Sequence, residues 1–418
     1  MSTEPRNPLI DFNSAGIRVG LLCPGGDQAT LSSLALHFIK RELDKVPGWF
    51  SEFLLNKRNY LYGEYTDKPL VKYDILAVTA SWLGDYFRLK KILEKHQLSE
   101  HPGKRKNLKI IMGGPGVVVK PDVFLDIADG VFVGDADKII AEIFDAFISG
   151  SDDIPWLMLN QNQTLPSPRK SMPNQGIALF SSAYAVYPKV RLVEVSRGCP
   201  FRCSFCWLSH SRRDFQTRSS IEVISETGNL KERIGLVSAA ILSHPDINRI
   251  LTSLTRIALP SCRYDLLNKD IIDQLSSKQV NSITLAPEVG NDKMSDIICK
   301  NFDLDKLLNV AELLDKAGFK KLKLYFMLGL PHEDIDDVQS IFQLLEKISQ
   351  TSKMSITASF SQFIPMPGTP LENEEMEKIS PVLDKYKFLQ SKLTQSNISL
   401  KNNFSSLNNR VYKLINQK

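Results

Sequence analysis

A chain of 418 residues, 43% hydrophobic and 24% charged, is long enough for two or three domains, each with its own core. Gly and Pro number 22 each, no apolar run approaches the roughly 18 residues of a membrane-spanning helix, and six cysteines are too few for a disulfide framework. Lys and Arg total 52 against 47 acidic residues, and the resulting net charge of +5 demands no nucleic-acid partner. The opening segment MSTEPRNPLIDFNSAG lacks the basic-then-apolar order of a secretory signal, so a cytoplasmic protein without membrane insertion is expected.

The first 150 residues repeatedly set an apolar run before a helical one. Residues 17–23 (IRVGLLC) predict a strand, followed by the loop PGGDQAT and an amphipathic helix over 31–43. Further strands are predicted over 74–80, 108–112 and 129–134, with helices over 86–95 and 137–148. Continuous apolar strands separated by helices predict a doubly wound parallel sheet covered on both faces, an α/β domain over 1–150. Residues 151–188 are polar, proline-rich and weakly periodic, and read as a linker or ordered connector.

From 189 to 370 the alternation resumes, with strands predicted over 191–195, 234–238, 255–259, 281–286, 322–328 and 355–363 and helices over 268–275, 304–317 and 336–348. Six such repeats predict a partial (β/α)6 TIM-like barrel, whose chemistry belongs at the carboxyl ends of its strands. Residues 371–418 carry helical spacing from Lys385 to Ser396 and then a polar tail, and predict a C-terminal helical appendage.

The segment RLVEVSRGCPFRCSFCW at 191–207 puts Cys199, Cys203 and Cys206 directly after the first barrel strand, with three and then two residues between them. Three thiolates on one tight loop can hold three irons of a [4Fe-4S] cube and leave the fourth open to a substrate or cofactor. A zinc site normally takes four closed ligands; His210 keeps zinc in view, although no fourth ligand stands at zinc spacing. Cysteine redox loops or buried core thiols leave the third cysteine without a purpose.

This triad, followed by a barrel of this length, resembles the radical S-adenosylmethionine superfamily, whose signature is C-x3-C-x-aromatic-C with Phe205 here in the aromatic place. The resemblance implies that Cys199, Cys203 and Cys206 bind a [4Fe-4S] cluster whose open iron chelates S-adenosylmethionine. It also implies cleavage of that cofactor to a 5'-deoxyadenosyl radical, with Phe205 packed near the adenine. Glu288, in TLAPEVG, resembles the A-P-E-x-G of some members and would hold the cofactor's ammonium or ribose hydroxyls; a surface or capping glutamate is the alternative. Gly329, in YFMLGLP, resembles the glycine-bearing segment near adenine, or a strand-ending turn. GLVSAA at 235–240 stands where a G-G-E-like segment is usual, and Ser238 is assigned to the methionine amino group. Arg263, in LPSCRYD, either pairs with the methionine carboxylate or an anionic substrate or forms a structural ion pair. Cys23, Cys262 and Cys299 read as small buried residues, and His244 as a turn or cap.

A doubly wound domain before such a barrel resembles the cobalamin-binding class. IIMGGPGVVVKPDVFLDIADGVFVGDAD at 110–137 is similar to that class's glycine and acidic region, which implies that Gly113, Gly114 and Gly134 let backbone approach a corrin or its nucleotide tail. The D-x-H-x-x-G signature of an axial histidine is missing. FIPMPGTP at 363–370 resembles the barrel end of methylthiotransferases, but Cys23 alone stands where those enzymes carry three further cysteines.

The expected function is a cobalamin-dependent methyltransferase acting on an unactivated carbon of a small molecule or peptide, with electrons from a low-potential donor such as flavodoxin or ferredoxin. One alternative is a cobalamin-independent rearrangement, oxidation or sulfur insertion. The other is an RNA-modifying or RNA-binding protein guided by Arg212, Arg213 and Arg218.

Overall fold

The computed structural model describes residues 10–174, 176–212, 214–393 and 398–416. The chain separates into two units, one ending at Glu194 and one beginning at Val195.

The first unit is built on seven strands: β1 (Ile17–Leu22), β2 (Trp49–Lys57), β3 (Tyr60–Gly63), β4 (Ile75–Thr79), β5 (Lys109–Gly113), β6 (Gly130–Phe132) and β7 (Leu157–Met158). Their order is β3-β2-β1-β4-β5-β6-β7, parallel from β2 to β6 with an antiparallel strand at each edge. Strand order reverses between β1 and β4, so the loops after them open on the crevice where doubly wound sheets bind ligands. Val19, Leu21, Phe53, Ile75, Phe132 and Phe144 belong to the core of this unit.

Three strands there, β2, β3 and β7, were not expected from the sequence. In β2 the run WFSEFLLNK is broken by Ser51 and Glu52, both of which are buried. Glu52 is tolerated because it accepts from the Tyr65 and Thr66 amides (2.7 and 3.1 Å), the Thr66 hydroxyl (2.5 Å) and the Tyr73 hydroxyl (2.6 Å). β7 lies within the proline-rich stretch 151–188, where Leu157, Phe180 and Ala185 pack into the core of the first unit. β8 (Val190–Glu194) follows that stretch and ends the unit.

The second unit opens with a short antiparallel pair, β9 (Ser196–Arg197) and β10 (Gln216–Thr217). Next come β11 (Arg233–Val237) and β12 (Ile257–Ala258), which are parallel, and an isolated bridge from Cys262 to Leu285 leads on to β13 (Ser282–Glu288). β14 (Lys321–Leu328), β15 (Ser355–Gln362) and β16 (Ile398–Asn402) continue the parallel sheet, making the partial barrel that the alternation predicted. Phe326 and Phe360 pair across β14 and β15 with rings stacked 5.5 Å apart.

Helices return to this sheet from polar caps: Asn268, Asn291, Asp303 and Asp334 each accept a first-turn amide. The C-terminal appendage contains helices Ile379–Lys392 and Ser406–Asn416, with β16 between them as a strand the polar sequence concealed. The Ser396 end of the expected helix lies outside the described residues. Among the described residues no helix is long and apolar enough to cross a membrane.

Glu64 contrasts with Glu52. Its Oε2 is buried without a hydrogen-bond partner, and burial pushes its carboxyl up to about 7. A raised folded value favours the protonated acid, so this contribution to stability is complete below about 4.5 and is lost as pH rises through about 7. In urea titrations, Glu64→Gln is expected to stabilise the protein at pH 8 and leave it unchanged at pH 4. Glu52→Ala, which strands four donors, is expected to destabilise by about 3 kcal/mol or more at either pH. A Glu64→Gln protein no more stable at pH 8 than the wild type would contradict the assignment.

Candidate metal centre

Gly198 starts the cysteine loop with φ +80°, and a Cβ there would stand 2.3 Å from the Asp214 carbonyl oxygen, so only glycine lets the chain pass. Cys199 N–H donates to the Arg212 carbonyl (3.3 Å), and Cys206 N–H closes a turn on the Cys203 carbonyl (3.0 Å). The Ser209 hydroxyl bridges the carbonyls of Cys203 and Cys206 (3.2 and 2.8 Å). Ser204 fastens the loop from below, its amide donating to Ile298 O (2.9 Å) and its hydroxyl to Ile297 O (2.6 Å).

All three thiols are free; Cys203 is buried, and Cys199 and Cys206 are half-buried. Burial pushes the Cys199 and Cys203 thiols up, against the pull of the Arg263 and Lys300 charges. Among the described residues no three His, Cys, Asp or Glu side chains converge as one metal ion requires. His210 Nε2 lies 3.1 Å from the Cys203 carbonyl, which can only accept, so that nitrogen carries the proton.

The other residues that the sequence singled out are placed as follows. Phe205 is half-buried beside Cys206. The Ser238 hydroxyl, just past β11, lies 2.5 Å from that of Ser196 and accepts from Ala240 N–H (3.1 Å). Glu288 ends β13 after a register irregularity, at φ +71°, a strained conformation for a non-glycine residue and one that collects at functional sites. Its Oε1 accepts from Lys300 Nζ at 2.8 Å, with side chains 14% and 9% exposed.

Arg263 is more committed than expected. Its Nε and Nη2 grip the Asp265 carboxylate (3.0 and 2.8 Å), its guanidinium lies 4.0 Å above the Phe201 ring, and Nη1 lies 3.9 Å from Cys203 Sγ. The ion pair with Asp265 is the second of the two readings that LPSCRYD allowed. Gly329, at φ +79°, donates its amide to Glu333 (2.7 Å); Glu333 binds Lys385 (2.8 Å), which also binds Glu377 (2.9 Å). A Cβ at Gly329 would stand 3.0 Å from Val382, so the appendage itself presses on this position.

In the first unit, the close approaches that require glycine are made by the protein's own backbone. A Cβ would stand 2.7 Å from Ala80 O at Gly114 and 2.3 Å from Arg169 N and O at Gly134, whereas Gly113 has nothing nearer than 3.7 Å. Ser171 occupies the acids of this segment, its amide on Asp135 and its hydroxyl on Asp137. His37 is also internal: Nε2 meets Leu31 O, Nδ1 accepts from Leu179 N–H, and burial lowers it to about 4.

Two readings change. Arg218, expected in a basic patch, is buried and paired with Glu226 at 2.6 Å; Arg212 reaches Gln216, and Arg213 lies outside the described residues. Cys299, expected to be buried, is exposed at a left-handed helix end. Lys300, Phe201 and Glu333 were missed: only the folded chain brings Lys300 to Glu288 and Glu333 to the Gly329 amide, and Phe201, inside the loop, is marked out only by the Arg263 guanidinium above its ring. Cys262 is buried as expected and pushed up to about 12 by that burial, and His244 is a buried turn histidine.

Comparison with known proteins agrees with this organisation. The radical SAM superfamily profile matches residues 193–345, and the profile for the N-terminal region of radical SAM proteins matches 50–154. An uncharacterized protein of Methanocaldococcus jannaschii is 26% identical over 405 residues, covering 93% of this chain and 86% of its own. An uncharacterized methyltransferase of Pyrococcus horikoshii is 22% identical over 335 residues, covering 71% and 68%. The solved structure of TsrM from Kitasatospora setae, described as a radical S-adenosylmethionine methyltransferase with cobalamin and a [4Fe-4S] cluster bound, aligns with TM-score 0.61 at 14% identity over 85% of this chain and 77% of its own. At that identity the likeness is one of fold.

Because Gly198 alone admits the loop, Gly198→Ala is expected to keep the far-ultraviolet circular dichroism of the wild type while taking up severalfold less iron and sulfide under anaerobic reconstitution. Wild-type iron content in that variant would contradict the geometry.

Proposed function

The chain belongs to the radical S-adenosylmethionine superfamily, and from that premise we propose that it is a [4Fe-4S] enzyme that methylates an unactivated carbon with the help of cobalamin. The observation that carries this reading is the loop holding Cys199, Cys203 and Cys206 free beside the strained Glu288 and the buried Lys300. A cluster held by these thiolates would supply one electron to the sulfonium of S-adenosylmethionine, the chemistry that would give methionine and a 5'-deoxyadenosyl radical able to take hydrogen from carbon.

The residues of the chain bind and orient. Cys199, Cys203 and Cys206 hold three irons and leave one for the methionine amino and carboxylate groups. Glu288 turns its carboxylate to the cofactor's ammonium or ribose, Ser238 assists at the amino group, and Phe205 and Gly329 flank the adenine. Arg263 serves Asp265 and Cys203 in place of the cofactor carboxylate.

Cobalamin is assigned to the first unit on the likeness of fold to TsrM and on its doubly wound sheet. The loop after β1 contains no histidine and His37 is committed within the core, so these residues suit a corrin held without an imidazole from either place. At Gly113 a Cβ would make only an ordinary contact with Phe132 O at 3.7 Å, while Gly114 and Gly134 shape the loops. The substrate class is a small molecule or peptide, and the electron donor a flavodoxin or ferredoxin. RNA guidance loses support because Arg218 is buried in an ion pair.

Anaerobically reconstituted protein given S-adenosylmethionine and dithionite is expected to form 5'-deoxyadenosine, measured by mass spectrometry, and Cys203→Ala to form none. Glu288→Gln is expected to raise the Kd for S-adenosylmethionine about tenfold, the worth of one charge-assisted hydrogen bond. Product formed by Cys203→Ala at the wild-type rate would remove the proposed chemistry. A corrin absorption band retained after gel filtration with cobalamin separates the methyl-transfer reading from the cobalamin-independent one.

A further inference from the structure

Two cations, the half-buried Arg263 and the buried Lys300, close on the thiol loop from separate elements, and the proposed reaction has not yet used their charge. Arg263 arrives after β12 and Lys300 after the helix Asp292–Ile298, with side chains 14% and 9% exposed. Both are fixed. Asp265 takes Nε and Nη2 of Arg263 and Phe201 lies under its plane, which leaves Nη1 directed at Cys203 Sγ, 3.9 Å away. Lys300 is held by Glu288, and its charge acts on both Cys199 and Cys203. Cys203 is the buried member of the triad, so both cations act where water screens least.

We infer that Arg263 and Lys300 are positioning residues that raise the reduction potential of the cluster held by Cys199, Cys203 and Cys206, with Glu288 opposing Lys300. The inference rests on the cluster reading above. One electron from an external low-potential donor adds one negative charge at the cluster, and no bond in the protein is made or broken. A fixed cation near a ligating sulfur stabilises the reduced form more than the oxidised form, as does an N–H directed at that sulfur. Without such compensation a buried cluster is harder to reduce, since desolvation opposes the added charge. Glu288 draws Lys300 toward itself and weakens its effect. Removing a cation and removing the carboxylate should therefore move the potential in opposite directions, a pattern that a merely structural role does not produce.

The test is an anaerobic redox titration of the reconstituted wild type and of Arg263→Gln, Lys300→Met, the double variant and Glu288→Gln. It is followed by electron paramagnetic resonance in the absence of S-adenosylmethionine, after iron and sulfide content has been assayed. At a fixed applied potential near the wild-type midpoint, the reduced-to-oxidised ratio is expected to fall in both single variants. In the double variant it should fall about tenfold, a downward shift of about 59 mV for a one-electron couple. Glu288→Gln is expected to shift upward, and Arg263→Lys to recover most of the loss of Arg263→Gln. Should Arg263→Gln misfold, Lys300→Met and Glu288→Gln decide by their opposite signs. Potentials equal to the wild type's, or both moving the same way, overturn the inference while the cluster reading stands. A wild type that takes up no iron and sulfide fails the cluster reading itself, and this inference with it.

Discussion

On the proposed reading, four irons and three thiolates leave one coordination site for something other than protein, and that mismatch governs how the loop has to be built. The thiols must be presented together, which a flexible loop would not do. Here the backbone is tied on every side: Gly198 passes under the Asp214 carbonyl, Ser204 is fastened to Ile297 and Ile298, and Ser209 and His210 hold the carbonyl of Cys203. These bonds go to carbonyl oxygens and so leave the sulfurs free. On the proposed reading, preorganisation of this kind keeps the open iron aimed at the cofactor.

The parallel sheet of the second unit supplies the surroundings. Ser238, Glu288 and Gly329 stand at the carboxyl ends of β11, β13 and β14, as expected of a barrel of this type. The charges there come as pairs, Arg263 with Asp265 and Lys300 with Glu288, each largely buried. Buried pairs contribute little to net stability, so their presence at this place suits a function in electrostatics better than one in folding. Farther out, Glu333 and Lys385 link the Gly329 turn to the C-terminal helix, so the appendage is part of how that turn is held.

Much of this was legible in the amino-acid order: β1 and β4, almost wholly buried, read as continuous apolar runs, and β13, β14 and β15 carry buried positions at every second residue. β1, β4, β13, β14 and β15 fall within a few residues of expectation, and the cysteine loop follows its strand as its spacing implied. What the order concealed was polar residues satisfied by distant partners. Glu52 interrupts β2, yet Tyr73 and the Thr66 segment make its burial tolerable. β16, with the polar run ISLKN, is a strand only because β15 offers it an edge. Gly134 invited a ligand, but Arg169, 35 positions later in the order, fills the space. Lys300 carried no motif; the left-handed turn at Cys299 brings it back to Glu288.

The central claim is that one iron differs from the other three because no thiolate of the chain reaches it. Mössbauer spectroscopy of protein reconstituted anaerobically with 57Fe, with and without S-adenosylmethionine, tests it most directly. The account predicts a [4Fe-4S] signal in which about one quarter of the iron changes its parameters when the cofactor is added. Four irons indifferent to the cofactor, or a loop filled by zinc under the same conditions, would contradict it.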